Sequence, residues 1–141
     1  MKKRSIPFRK ARTAQKNAAA EDYTELVSEL ISDCGEARTC AIAEHMGVSH
    51  VTVCRTLQRL QEEGYLVTGP RLPVTLTSKG QRTAKMARHR HQLLVELLKQ
   101  LGVSPATAES DAEGAEHHLS PETIRCIELF LRKGLADKNA A

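Results

Sequence analysis

The stretch TCAIAEHMGVSHVTVCRTLQRL, residues 39–60, decides the fold. Small Ala43 stands where two helices would approach, Gly47 follows four residues later at a turn, and apolar Val53 lies six further on. Ile42, Met46, Val48, Leu57 and Leu60 fill the other inward positions, so the spacing predicts a helix-turn-helix. Thr39 caps a short helix through Met46, and Ser49 caps a longer one that reaches about Glu63 before Gly64. Segments 65–68 and 74–76 then read as short strands around Gly69-Pro70-Arg71-Leu72-Pro73, whose prolines suit the tip or edge of a hairpin. A helix-turn-helix followed by such a β-wing is a winged helix.

In that arrangement the second helix enters the major groove of double-stranded DNA with its N-terminal end toward the bases. Its outward residues are Ser49, His50, Val51, Thr52, Arg55, Thr56 and Arg59. Arg55 can hold a guanine edge through two hydrogen bonds and Val51 can touch a thymine methyl. Thr52, Thr56, Arg59 and, at the wing tip, Arg71 suit phosphate better.

Outward from this core, Tyr23, Leu26, Val27, Leu30, Ile31 and Cys34 form an apolar stripe at helical spacing, which predicts a helix from Glu21 to about Gly35. Beyond the wing, Thr77 opens a long helix to Leu101 that stops at Gly102, and Ser104-Pro105 and Ser120-Pro121 each start another. The expected fold is mainly α: a winged helix-turn-helix over 21–76, then a helical domain over 77–141.

Composition agrees. The chain has 141 residues, 40% of them apolar but only 3% aromatic and none Trp, so the core is aliphatic and large enough to need no disulfide. Cys34, Cys40, Cys54 and Cys126 form no C-x-x-C pair and read as small apolar side chains. No run approaches the roughly 18 apolar residues of a membrane span, and no signal segment opens the chain. A cytoplasmic protein without a membrane partner is expected. Charge is uneven: residues 1–20 hold seven of the 21 basic residues and no acid, leaving 14 basic against 17 acidic elsewhere. Such a segment predicts a flexible arm, either a solvated tail or a tether that follows DNA phosphates.

The remaining chemistry lies in the second half. Glu113, Glu116 and His117 stand at i, i+3 and i+4, Asp22 and Glu25 at i and i+3, and His91 in register with Ala84, Ala87, Leu94 and Leu98. Four carboxylates gathered on packed helix faces would repel one another and lose hydration, a conflict that a divalent cation resolves. Oxygen and imidazole donors without thiolates favour Mn²⁺ or Fe²⁺, although Zn²⁺ binds such donors by raw affinity, and four carboxylates suffice to bridge two ions.

With these residues in view, the sequence resembles the manganese transport regulators, short members of the diphtheria toxin repressor family. The segments that carry the likeness are 21–25, 48–66, 76–80, Arg90-His91 and 111–120, within about residues 21–134. The resemblance implies metal ligands at Asp22, Glu25, His91, Glu113, Glu116 and His117. Asp22 and Glu116 match the manganese branch, where iron-responsive members use sulfur ligands. It further implies a homodimer built on the C-terminal helices and a Mn²⁺-activated repressor of operator DNA controlling manganese homeostasis genes, with one or two ions per subunit and Fe²⁺, Zn²⁺ or Cd²⁺ as substitutes in vitro. Alternatives are a winged-helix regulator answering to Fe²⁺ or to an organic ligand, and a helical metalloenzyme. The enzyme is disfavoured: di-iron bundles need Glu-x-x-His on two helices, whereas the third residue after Glu113 is Glu116, and H-E-x-x-H is absent. No small organic substrate is expected.

Overall fold

The computed structural model describes residues 4–140. Its elements run α1 (Ser5–Cys34), α2 (Thr39–Met46), α3 (His50–Glu62), β1 (Leu66–Val67), β2 (Thr75–Leu76), α4 (Ser78–Gln100), α5 (Pro105–Ala115), a single 3-10 turn (Glu116–His118) and α6 (Pro121–Ala140). Two compact units emerge, one of Lys16–Ala87 and one of the residues up to Gln15 together with those from Arg88 onward.

The basic segment expected as a flexible arm is helical from Ser5. Between Ser5 and Ala20 there is no glycine, and alanine, arginine, lysine and glutamine are strong helix formers. Pro7 falls in the first turn, where its missing N–H would have had no partner. Lys2 and Lys3, counted with the arm, lie outside the described residues. Further along α1 the buried set is Ala20, Tyr23, Thr24, Val27 and Leu30, a narrower stripe than the one predicted; Ile31 and Cys34 are exposed. Thr24 stays buried because its hydroxyl donates to the Ala20 carbonyl at 2.7 Å.

In the first unit α1, α2, α3 and the wing enclose one aliphatic core that includes Val27, Ile42, Val53, Leu57, Leu60 and Val74. Gly47 ends α2 in the left-handed region at φ 66°, which lets Val48 N–H donate to the Ala43 carbonyl at 3.2 Å. That turn leaves Val48 38% exposed instead of inward as expected. Leu66 pairs with Leu76 and Val67 with Thr75, antiparallel, and Val74 N–H donates to Ala37 at 2.8 Å. The strands are shorter than predicted, and Thr68 N–H, which in this register faces away from β2, donates to the Gln61 side chain at 2.6 Å. All four cysteines, read from the sequence as small apolar side chains, are exposed thiols.

The start of α4 locks onto the wing. Thr77 N–H donates to the Tyr65 carbonyl, its hydroxyl donates to Gly64 and accepts from Gly80 N–H, and the Lys79 ammonium lies 4.2 Å from the Tyr65 ring centre. Gly80 is obligatory here, since a Cβ would stand 1.9 Å from the Tyr65 carbonyl oxygen. In the second unit Leu94, Val95, Ala108 and Ala112 join α4 to α5, with Leu97, Leu98, Val103 and Leu119 packed around them. Among the described residues no helix is long and apolar enough to cross a membrane.

Candidate metal centre and DNA-contacting surface

On α3 the burial of Val53, Leu57 and Leu60 turns the opposite side outward. Ser49, His50, Val51, Thr52 and Arg55 are exposed, and Thr56 and Arg59 are half-buried. Ser49 is foremost a cap: its oxygen accepts from Thr52 N–H at 3.2 Å, and its hydroxyl donates to the Thr52 side chain at 2.9 Å. His50 Nδ1 lies 3.5 Å from the Cys54 sulfur, and Arg59 pairs loosely with Glu63 at 3.7 Å. Val51 is 66% exposed, and Arg55 is exposed as well. At the wing tip Leu72 N–H closes a turn on the Gly69 carbonyl, with Arg71 at φ 63°, a region that disfavours side chains. The Arg38 guanidinium holds that conformation by donating to the Arg71 carbonyl at 2.9 Å, while the Arg71 side chain stays exposed.

The second unit brings four of the six expected metal ligands together. His91 projects from α4 on the face that buries Ala84, Ala87, Leu94 and Val95, so its ring is only 15% exposed. Glu113 lies in the last turn of α5, while Glu116 and His117 fall in the 3-10 turn, so the anticipated helical face is broken between them. The set still converges. Glu116 is buried, with Oε2 2.8 Å from His91 Nδ1 and Oε1 3.6 Å from His117 Nε2; Glu113 Oε1 lies 3.9 Å from His91 Nδ1. Ligand atoms of His91, Glu113 and Glu116 all lie within 4.8 Å of one another. Asp22 and Glu25 sit half-buried one turn apart on α1, in the first unit.

Electrostatics single out Glu116. Burial pushes its carboxyl up to about 7, with Glu113 adding to the rise and His91 and His117 opposing it. For His91, burial acts to lower the imidazole, but the Glu109 hydrogen bond and the Glu116 carboxylate outweigh it and hold the ring above the ordinary histidine value. Without a cation the site is therefore a proton-sharing cluster. Glu116 Oε1 has no hydrogen-bond partner among the described residues, an expensive state for a buried oxygen. A divalent cation fits these donors: it would neutralise the clustered carboxylates and engage that oxygen, and the donors contain no sulfur.

Sequence reasoning overlooked Glu109. Its Oε2 lies 2.7 Å from His91 Nε2, on the other side of the ring from Glu116. The signal was present, since Glu109, Glu113 and Glu116 follow one another at i, i+4 and i+7.

Comparison with known proteins covers nearly the whole chain. Residues 17–74 match the family described as iron dependent repressor, N-terminal DNA binding domain, and residues 77–137 the iron dependent repressor metal binding and dimerisation domain. The transcriptional regulator MntR of Escherichia coli O6:H1 is 44% identical over 126 residues, which span 89% of this chain and 81% of that protein. The HTH-type transcriptional regulator MntR of Bacillus subtilis strain 168 is 38% identical over 104 residues, 74% of this chain and 73% of its own. Among solved structures, a manganese-dependent transcriptional repressor in complex with manganese superposes with a TM-score of 0.71 at 31% identity, over 79% of this chain and 52% of the other. The chain thus spans about half the length of that structure.

Proposed function

The chain belongs to the iron-dependent repressor family, among relatives named MntR, and from that footing we propose that it is a Mn²⁺-activated, dimeric, DNA-binding repressor of the cytoplasm that controls genes of manganese homeostasis. The observation that carries this reading is the buried Glu116 carboxylate, which faces His91 and Glu113 with one oxygen lacking a hydrogen-bond partner among the described residues. His91, Glu113, Glu116 and His117 would hold the ion, with Asp22 and Glu25 supplying the remaining carboxylates and the capacity for a second ion. Once bound, the cation supplies charge that a cluster of carboxylates lacks. Through this ion, metal concentration would control DNA binding. Fe²⁺, Zn²⁺ and Cd²⁺ would compete for the same donors.

Val51 and Arg55 read bases, and Thr52, Thr56, Arg59 and Arg71 hold phosphates, with Ser49 and His50 framing the helix start. The second copy packs on α6, where Leu129, Phe130 and Leu135 are each more than half exposed. Two recognition helices then meet half-sites about one DNA turn apart.

Calorimetry of the full chain with Mn²⁺ tests the site. His91→Ala and Glu113→Ala should weaken Mn²⁺ by more than the roughly 10- to 100-fold that follows loss of an outer-sphere partner, while the dimer stays folded. Wild-type affinity in both variants would place the ion elsewhere.

A further inference from the structure

Resting on that metal reading, we propose that Glu109 is a positioning residue: its carboxylate holds the Nε2 hydrogen of His91 and so presents the Nδ1 lone pair to the cation. The two ring nitrogens face different partners. Nε2 lies 2.7 Å from Glu109 Oε2, whereas Nδ1 lies 2.8 Å from Glu116 Oε2 and 3.9 Å from Glu113 Oε1. The ligand atoms that cluster within 4.8 Å belong to His91, Glu113 and Glu116, and Glu109 is outside that group. The ion side of the ring is therefore Nδ1, and Glu109 stands behind it.

A neutral imidazole carries one N–H, and here two carboxylates compete for it. If the hydrogen goes to Glu116, the site loses the Nδ1 lone pair and occupies a Glu116 oxygen at the same time. If it goes to Glu109, both remain available. One misplaced hydrogen thus removes two ligand atoms. Glu109 also fixes the ring against rotation about its bond to Cβ, since a half-turn would replace each nitrogen by a ring carbon. Carboxylates that accept the second N–H of a ligating histidine set its tautomer in this way and raise its basicity. Glu109 is 61% exposed, so water competes with it, and its effect should lie at the low end of the outer-sphere range.

Two measurements on the full chain separate this role from a solvated ion pair and from direct ligation. Glu109→Ala should lower Mn²⁺ affinity by about 10-fold in calorimetry. Glu109→Gln, whose amide oxygen still accepts from Nε2–H, should restore most of the loss. In parallel, ring ¹⁵N shifts of His91 with Zn²⁺ as the diamagnetic probe should show Nε2 protonated and Nδ1 metal-bound in wild type and Glu109→Gln, but a mixture in Glu109→Ala. Wild-type affinity and ring shifts in Glu109→Ala would overturn the proposal. So would a Glu109→Gln as weak as Glu109→Ala, which would make Glu109 a ligand. Failure of the wild-type chain to bind Mn²⁺ at all would instead remove the metal reading on which the proposal rests.

Discussion

The DNA-reading unit holds the larger apolar core, whereas the metal-binding unit holds the buried carboxylate. The first encloses a continuous aliphatic core from Ala20 through Val74, and its buried Thr24 hydroxyl finds the Ala20 carbonyl. The second has a smaller cluster around Leu94, Val95, Ala108 and Ala112, a buried carboxylate oxygen without a hydrogen-bond partner among the described residues, and large apolar side chains exposed along α6. On the proposed reading, a cation at Glu116 and a second copy at α6 would complete the second unit. A sensor needs such an unfinished part, because a ligand shifts an equilibrium only through states it stabilises unequally.

The largest effect expected from breaking this contrast is at Gly80. Gly80→Ala drives a Cβ into the Tyr65 carbonyl and should cost the reading unit about 3 kcal/mol, the top of the overpacking range, read as a fall in the urea midpoint. The loss should be the same with and without Mn²⁺. Recovery on adding Mn²⁺ would mean that the reading unit also depends on the ion for its fold.

A pH series comes next and addresses the other unit. The folded chain holds a proton on Glu116 up to about pH 7, whereas an ordinary glutamate releases it near 4.5. Its contribution to stability is therefore full below about 4.5 and lost as pH rises through 7. His91 acts in the same sense: its raised value adds stability that is full below 6.5 and lost above the folded value. The metal-free chain should melt at a lower temperature at pH 8 than Glu116→Gln does, with the gap closing toward pH 5. Mn²⁺ should reverse that order at pH 8, because its ligands bind deprotonated. Parallel pH profiles for wild type and Glu116→Gln would show that Glu116 is not the open position.

Smaller effects are expected on the DNA surface, where no buried group is disturbed. Arg55→Ala should cost about 1 to 3 kcal/mol on a preferred duplex and relax one base preference, whereas Arg71→Ala should weaken all sequences alike and reduce the salt slope by about one contact. Equal losses for Arg55→Ala on preferred and random DNA would move Arg55 to the phosphate class.

What the sequence made legible divides along the same line. Gly47, the Ser49 cap and the buried Val53, Leu57 and Leu60 are local signals, and the structure places them as read. The wing strands are two residues each, shorter than the apolar runs suggested, and the Gln61 side chain that accepts from Thr68 N–H is a contact no periodicity reveals. The N-terminal helix was obscured by its charge, although its alanines and lack of glycine favoured helix. In the metal-binding unit the ligand types were visible at helical spacing, but the break between Glu113 and the 3-10 turn was not. Glu109 looked like one more solvated acid until the structure placed it behind His91.

If the cation at Glu116 governs what the DNA-reading unit does, affinity for a duplex selected from a random pool should respond as Mn²⁺ is titrated into the metal-free chain, with Glu113→Ala measured in parallel. Mn²⁺ should tighten wild-type binding within the usual allosteric range, roughly 5- to 150-fold, and leave Glu113→Ala at the metal-free affinity. Equal wild-type affinity in Mn²⁺ and in chelator would contradict it.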